Sequence, residues 1–265
     1  MNTPLVSTEW LNEHLNDDDL VILDVSQKIA VDNIAIAGAR YFDVKNVFSD
    51  ATSEFPNTFP SAAQFEAGCQ QLGIDSDSKI VVYDNKGVFL SPRVWWMFTT
   101  FGHQNVAVLD GGLPEWLANS YETETGFDSE FDQGDFKAQL QPKQVIAYDF
   151  VKANLSTKKA LLIDARSAGR FNGTESEPRK DLRGGNIPGS INLPYTEVLA
   201  KGKFKSIPEL KEVFRNLETE NRPFVFTCGS GVTACIILLA SELVMQHENA
   251  MYDGSWTEWA QLEDE

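Results

Sequence analysis

Short apolar runs alternate along the chain with longer segments whose apolar residues recur at helical spacing. Val21-Ile22-Leu23, Ile80-Val81-Val82 and Val106-Ala107-Val108-Leu109 read as buried strands in the first half, and Leu161-Leu162-Ile163 and Phe224-Val225-Phe226 in the second. Helix starts between them are marked by hydroxyl residues. Ser61-Ala62-Ala63-Gln64 and Ser206-Ile207-Pro208-Glu209 both fit a capping box, in which a serine and the Gln or Glu three residues on satisfy orphan backbone N–H groups. Strands alternating with helices predict α/β units built around mostly parallel sheets.

The pattern occurs twice. Leu23-Asp24-Val25 is echoed by Ile163-Asp164-Ala165, and Ile36-Ala37-Gly38-Ala39 by Ile187-Pro188-Gly189-Ser190. Asp110-Gly111-Gly112, ending at Trp116, is echoed by Asp253-Gly254-Ser255, ending at Trp259. Three landmarks in one order, at nearly one offset, imply a duplicated domain. Residues 120–141 are acidic and without periodicity, and they read as a linker between a first domain over 1–119 and a second over 142–265.

Composition narrows the function. The chain of 265 residues is 42% hydrophobic, enough for two cores, and its formal net charge is −17 at pH 7. Such a surface repels nucleic acid and anionic membranes. No apolar run approaches the ~20 residues of a membrane span, and Met1 to Trp10 lacks the basic and apolar regions of a signal peptide. The three cysteines, Cys69, Cys228 and Cys235, suit a reducing cytoplasm rather than a disulfide scaffold. His14, His103 and His247 are scattered, so no metal site is expected.

One cysteine stands in a chemically distinct context. Phe224-Val225-Phe226-Thr227 runs directly into Cys228-Gly229-Ser230-Gly231, after which Val232-Thr233-Ala234-Cys235-Ile236-Ile237 opens an apolar helix. Ligand sites of open α/β sheets favour this position. The glycines let the backbone curl so that successive N–H groups point inward, and the helix N-terminus adds positive potential. A free cysteine, with a pKa of about 8.5, is only a few per cent thiolate at pH 7, whereas a helix N-terminus lowers such values to roughly 3.5–7.5. A loop of this kind would stabilise a thiolate or a persulfide anion. Cys69 and Cys235 lie within helical patterns and read as core.

Cys228-Gly229-Ser230-Gly231-Val232-Thr233 resembles the active-site loop of the 3-mercaptopyruvate sulfurtransferases, a branch of the two-domain rhodanese family. The resemblance extends over nearly the whole chain, through Val82-Tyr83-Asp84, Pro92-Arg93-Val94-Trp95-Trp96-Met97-Phe98 and Leu109-Asp110-Gly111-Gly112 in the first half. In the second it runs through Asp164-Ala165-Arg166, Gly169-Arg170-Phe171, Glu177-Pro178-Arg179, Ile187-Pro188-Gly189-Ser190 and Asp253-Gly254-Ser255-Trp256. It implies two tandem rhodanese-like domains, each a mostly parallel sheet flanked by helices. It also implies a Cys228 persulfide, no cofactor, a small-molecule sulfur donor, and a thiol acceptor that is a small thiol or a thioredoxin-like protein. The first domain of the family lacks the cysteine. Asp84 ends the matching strand here, and a carboxylate cannot hold sulfane sulfur, so that domain should be catalytically silent.

Arg166, Arg170, Arg179, Lys180 and Arg183 fall within 18 residues of an otherwise acidic chain. A guanidinium grips a carboxylate such as that of 3-mercaptopyruvate bidentately, and by resemblance Arg170 and Arg179 match the family's substrate-binding arginines. The chain departs from the family at Lys45, where a second acid usually follows Asp43, and between Asn46 and Pro60, where a histidine is expected. Three other readings compete with mercaptopyruvate as donor. Thiosulfate sulfurtransfer shares the chemistry. A Cys-x5-Arg phosphatase needs an arginine at position 234, which is Ala234. A sulfur carrier without turnover is the non-enzymatic reading.

Overall fold

The computed structural model describes residues 1, 3–26, 33–128, 130–215, 217 and 222–263. It divides into two compact units, the first comprising 1–51, 59–141 and 201–204, the second 52–58, 142–200 and 205–265.

Unit 1 runs β1 (Leu5–Val6), α1 (Thr8–His14), β2 (Leu20–Asp24), β3 (Ile34–Ile36), β4 (Ala39–Tyr41), α2 (Ala62–Gln71), β5 (Lys79–Tyr83), α3 (Ser91–Thr100), β6 (Val106–Leu109), α4 (Gly112–Ala118) and β7 (Thr123–Thr125). Its main sheet has the order β1-β6-β5-β2-β4, parallel throughout. The apolar runs form the three inner strands because both of their faces are covered, which is why they read as continuous rather than alternating. Ser61 caps α2 by accepting the N–H of Gln64 at 3.2 Å, but the Gln64 amide reaches away to the carbonyls of Val47 and Ser49, so only half of the capping box forms. The acidic stretch expected as a linker packs along this unit. Thr123–Thr125 pairs antiparallel with Ile34–Ile36, and Phe136 is buried among aromatic rings.

Unit 2 runs β8 (Val145–Ile146), α5 (Tyr148–Thr157), β9 (Leu161–Asp164), α6 (Ala168–Phe171), β10 (Ile191–Asn192), β11 (Leu199–Ala200), α7 (Ile207–Arg215), β13 (Phe224–Thr227), α8 (Ala234–Val244), β14 (Asn249–Tyr252) and α9 (Ser255–Leu262). Between β11 and α7, the short strand β12 (Lys203–Phe204) belongs to unit 1, where Phe204 N–H donates to Asp110 and Lys203 pairs with Glu115. The five-stranded sheet has the order β10-β9-β13-β14-β8, again all parallel. Strand for strand it repeats the order of unit 1, with β5 and β13 in the centre. Each unit closes its core on tryptophans of the repeated landmark, Trp116 in one and Trp256 with Trp259 in the other.

Candidate active site

Each central strand ends in a loop that leads into an apolar helix, and the two loops hold different residues at the same place. In unit 1 the residue is Asp84. Its buried carboxylate accepts the amides of Lys86, Phe89, Leu90 and Ser91 at 2.8–3.0 Å, and the Ser91 hydroxyl at 2.8 Å. Five donors converging on one carboxylate make this loop an anion cradle that its own side chain fills.

In unit 2 the residue is Cys228, 144 positions on and 2% exposed. The loop amides of Ser230 and Thr233, which match Lys86 and Phe89, donate to no backbone carbonyl among the described residues. The loop is held from outside instead. Trp256 N–H donates to Cys228 O at 2.9 Å, as Leu113 N–H does to Asp84 O at 3.1 Å in unit 1. Thr257 donates to Gly229 O through both its N–H, at 3.0 Å, and its hydroxyl, at 2.5 Å. Cys228 N–H donates to Ser255 Oγ at 3.3 Å. Gly231 adopts φ of 77°, a left-handed conformation that a glycine takes without strain and that turns the loop toward α8.

Cys69 in α2 and Cys235 in α8 are fully buried, and among the described residues no cysteine forms a disulfide. Burial pushes the Cys69 thiol well above its ordinary value, which keeps it protonated. Cys235 packs its sulfur 3.3 Å from that of Met251.

Both sequence-identified arginines reach the loop. A Cβ on Gly229 would lie 2.7 Å from Arg170 Nη2, so that guanidinium rests where a side chain would otherwise stand. Arg170 is held there by Glu177, through Nε at 3.1 Å and Nη2 at 2.5 Å. Arg179 donates to Thr257 Oγ1 at 2.6 Å, and the same hydroxyl donates onward to Gly229 O. Burial lowers the Arg179 pKa most, Arg170 adds to that, and Glu177 and Cys228 oppose it. The group remains a cation, because guanidinium starts so high.

Glu177 organises this cluster. Its side chain is 2% exposed and bridges Arg170 to Arg166. Arg166 is buried too, bound to both oxygens of Asp164 and stacked 4.6 Å over Trp256. Burial opposes its charge, but Asp164 and Glu177 outweigh that and raise its pKa. Arg166 and Arg170 thus share the two buried carboxylates of Asp164 and Glu177, and among the described residues no carboxylate lies within ion-pair distance of Arg179. The cluster keeps one excess positive charge beside the loop. Asn57 Nδ2 also meets the loop, at 3.0 Å from Ser230 Oγ and 3.2 Å from its carbonyl. Asn57 and Thr257 were invisible to spacing arguments. Only the proximity of Thr257 to the repeated landmark at Asp253-Gly254-Ser255 offered a signal.

Among the described residues no cluster of His, Cys, Asp and Glu has metal-binding geometry, and no helix is long and apolar enough to cross a membrane.

A model of the rhodanese-like domain matches residues 7–119 and 147–262. The 3-mercaptopyruvate sulfurtransferase of Homo sapiens is 38% identical over 272 residues, covering 96% of this chain and 91% of that protein. The Arabidopsis thaliana protein named thiosulfate/3-mercaptopyruvate sulfurtransferase 1, mitochondrial, is 38% identical over 288 residues, covering 97% of this chain and 76% of its own length. The crystal structure of SseA from Escherichia coli, described as a 3-mercaptopyruvate sulfotransferase, superposes with a TM-score of 0.85 at 34% identity and covers 96% of this chain and 99% of that one.

Proposed function

This chain belongs to the rhodanese family, and on that premise we propose that it moves sulfane sulfur from 3-mercaptopyruvate to a thiol acceptor through a persulfide on Cys228. The observation that carries the reading is the contrast between the two loops. The unit 1 loop wraps a carboxylate in four amides, and its counterpart in unit 2 presents a cysteine in the same place. Amides arranged to receive an anion stabilise a thiolate before the reaction and a persulfide after it.

In the first step the Cys228 thiolate attacks the donor's sulfur. An S–S bond forms, the donor's C–S bond breaks, and its electron pair passes into the adjacent carbonyl as an enolate. That enolate takes the proton of the new persulfide to give pyruvate, which leaves Cys228 as an anionic persulfide. In the second step an acceptor thiolate, or cyanide in an assay, takes the terminal sulfur and regenerates the Cys228 thiolate. Arg170 and Arg179 hold the donor's carboxylate, while Gly229, Ser230, Gly231, Val232 and Thr233 form the cradle. Unit 1 is catalytically silent, because Asp84 fills its cradle. The acceptor is a small thiol or a thioredoxin-like protein, and a reducing compartment, the cytoplasm, suits three cysteines outside any disulfide.

Thiosulfate is the alternative donor, since the Arabidopsis relative carries both donors in its name. Intact-mass measurement after treatment with 3-mercaptopyruvate tests the central claim. One added sulfur mapping to Cys228 is expected, with none in Cys228→Ser and an undiminished gain in Cys69→Ser and Cys235→Ala. Loading on another cysteine, or turnover by Cys228→Ser, would refute the mechanism.

A further inference from the structure

We infer that Asn57 is a positioning residue that fixes the Ser230 hydroxyl as a hydrogen-bond donor to the anion formed at the Cys228 loop. The inference rests on the sulfurtransferase reading above and adds a residue to it. Asn57 lies in the run 52–58 of unit 2 and has φ of 59°, a left-handed conformation that asparagine tolerates better than most residues.

Its side-chain amide makes two contacts with one residue. The Ser230 carbonyl oxygen, 3.2 Å away, can only accept, so the end of the amide that faces it is the NH2 group. The chemistry of the partner therefore settles which end of the amide points at the loop. The same NH2 lies 3.0 Å from Ser230 Oγ, and it has no lone pair to offer there. The hydroxyl must accept from Asn57, and its single proton must point elsewhere. Among the described residues no protein group takes that proton.

A serine two residues beyond the nucleophile thus has one side of its hydroxyl taken by Asn57, which narrows the directions in which its proton can point. Pre-orientation matters because a freely rotating hydroxyl spends rotamer entropy each time it engages an anion, whereas an oriented one does not. The amide does not titrate, so the arrangement holds at every pH at which the protein is folded. No proton is transferred to or from Asn57, and the proton balance of the reaction is unchanged.

Two substitutions separate this role from simple packing. Asn57→Asp keeps the shape, but its carboxylate can only accept, so it draws the Ser230 proton toward itself and away from the sulfur. Asn57→Ala removes the contact and leaves the hydroxyl free to rotate. A packing role makes the isosteric aspartate the milder change, and the positioning role makes it the more severe.

The test is single-turnover loading of Cys228 with 3-mercaptopyruvate, followed by intact mass, with thermal midpoints recorded alongside. At saturating donor, Asn57→Asp is expected to slow loading by at least about 10-fold and Asn57→Ala by about 2- to 5-fold. The half-saturating concentration should move less than the rate. In a Ser230→Ala background, Asn57→Asp should cost under about 3-fold, because the group it acts through is gone. Alanine worse than aspartate, or an aspartate with the wild-type rate, overturns the role. So does an aspartate penalty undiminished in Ser230→Ala, which would mean that its charge acts directly on the sulfur. A wild-type protein that takes up no sulfur overturns the sulfurtransferase reading and this role with it. Loading in the wild type with the wrong order of variants overturns this role alone.

Discussion

Ser255 accepts the amide N–H of Cys228 on its Oγ at 3.3 Å while its own backbone is held at φ of 54°. The hydroxyl also donates to Tyr252 O at 2.9 Å, so both of its functions are used in a fully buried place. The matching residue in unit 1, 143 positions earlier, is Gly112, at φ of 51°. A Cβ there would run into the carbonyl oxygens of Asp84 and Gly87. Unit 2 accepts a left-handed non-glycine residue, at about 1–2 kcal/mol, where it gains a bond to the proposed nucleophile.

Replacing Ser255 should therefore reverse the usual preference of helical positions for alanine over glycine. Ser255→Ala keeps the strain and loses both hydrogen bonds, whereas Ser255→Gly loses the bonds and relieves the strain. Thermal midpoints should fall more for alanine than for glycine, and kcat/KM should drop about 5- to 10-fold in both. Wild-type kinetics in both variants would leave Ser255 with no part in placing Cys228.

The two arginines should separate in their effects. Removing Arg179 vacates only a neutral partner, Thr257. Arg179→Ala should cost roughly 10- to 150-fold in kcat/KM for 3-mercaptopyruvate, the value of a charge-assisted contact, with the thermal midpoint nearly unchanged. Arg170→Ala strips one side of the buried Glu177 carboxylate and should lower stability as well. Equal thermal losses in the two variants would contradict the network as described.

Donor choice should follow the neutrality of the loop. Thiosulfate concentrates its charge beside the transferring sulfur, and a cation at about 4 Å adds up to ~4 kcal/mol at an effective dielectric of 20. Gly229 and Ser230 supply none of their own, and the Arg170 guanidinium beside Gly229 is already tied to Glu177, so the wild type should show the higher kcat/KM with 3-mercaptopyruvate. A Gly229→Arg, Ser230→Lys double variant should shift the ratio toward thiosulfate. Part of that shift comes from loss of the first donor, because a side chain at 229 must displace Arg170. A wild type that prefers thiosulfate would promote the alternative donor.

Much of this architecture is visible in the order of residues, and the physical reason differs by element. Ile80-Val81-Val82 and Phe224-Val225-Phe226 are continuous apolar runs because strands covered on both faces have no solvent side to mark. Cys228 is legible because a strand, two glycines and an apolar helix meet within a few residues. Glu177 was not legible. It looks like a surface acid until the fold brings Arg166 and Arg170 to its two oxygens. Asn57 lies 173 positions from Ser230, and neither spacing nor periodicity reports a contact of that range.

A histidine outside the active site gives a pH test. His103 is 7% exposed, packs against Phe98 and Phe136, and places Nε2 3.0 Å from Ser78 O. Burial lowers its pKa, against the pull of its hydrogen bonds to the Ser78 and Asn105 backbone. A lowered folded value means that the unfolded chain binds the proton first. The contribution of His103 is thus complete above the unfolded value of about 6.5 and is lost as pH falls below it toward the folded value. Urea midpoints at pH 7.5 and 5.5 should differ more for wild type than for His103→Gln, and parallel profiles would show that this ring is not the titrating group.

The Asp84 loop has a consequence for traffic of loose ions. A carboxylate tethered to its own cradle competes at an effective concentration that a free solute at cellular levels does not match. Sulfite, thiosulfate or a stray persulfide approaching unit 1 therefore meets a saturated receptor rather than a missing one. On the proposed mechanism the duplicated half is insulated from the chemistry by permanent occupancy, and sulfur is confined to one address.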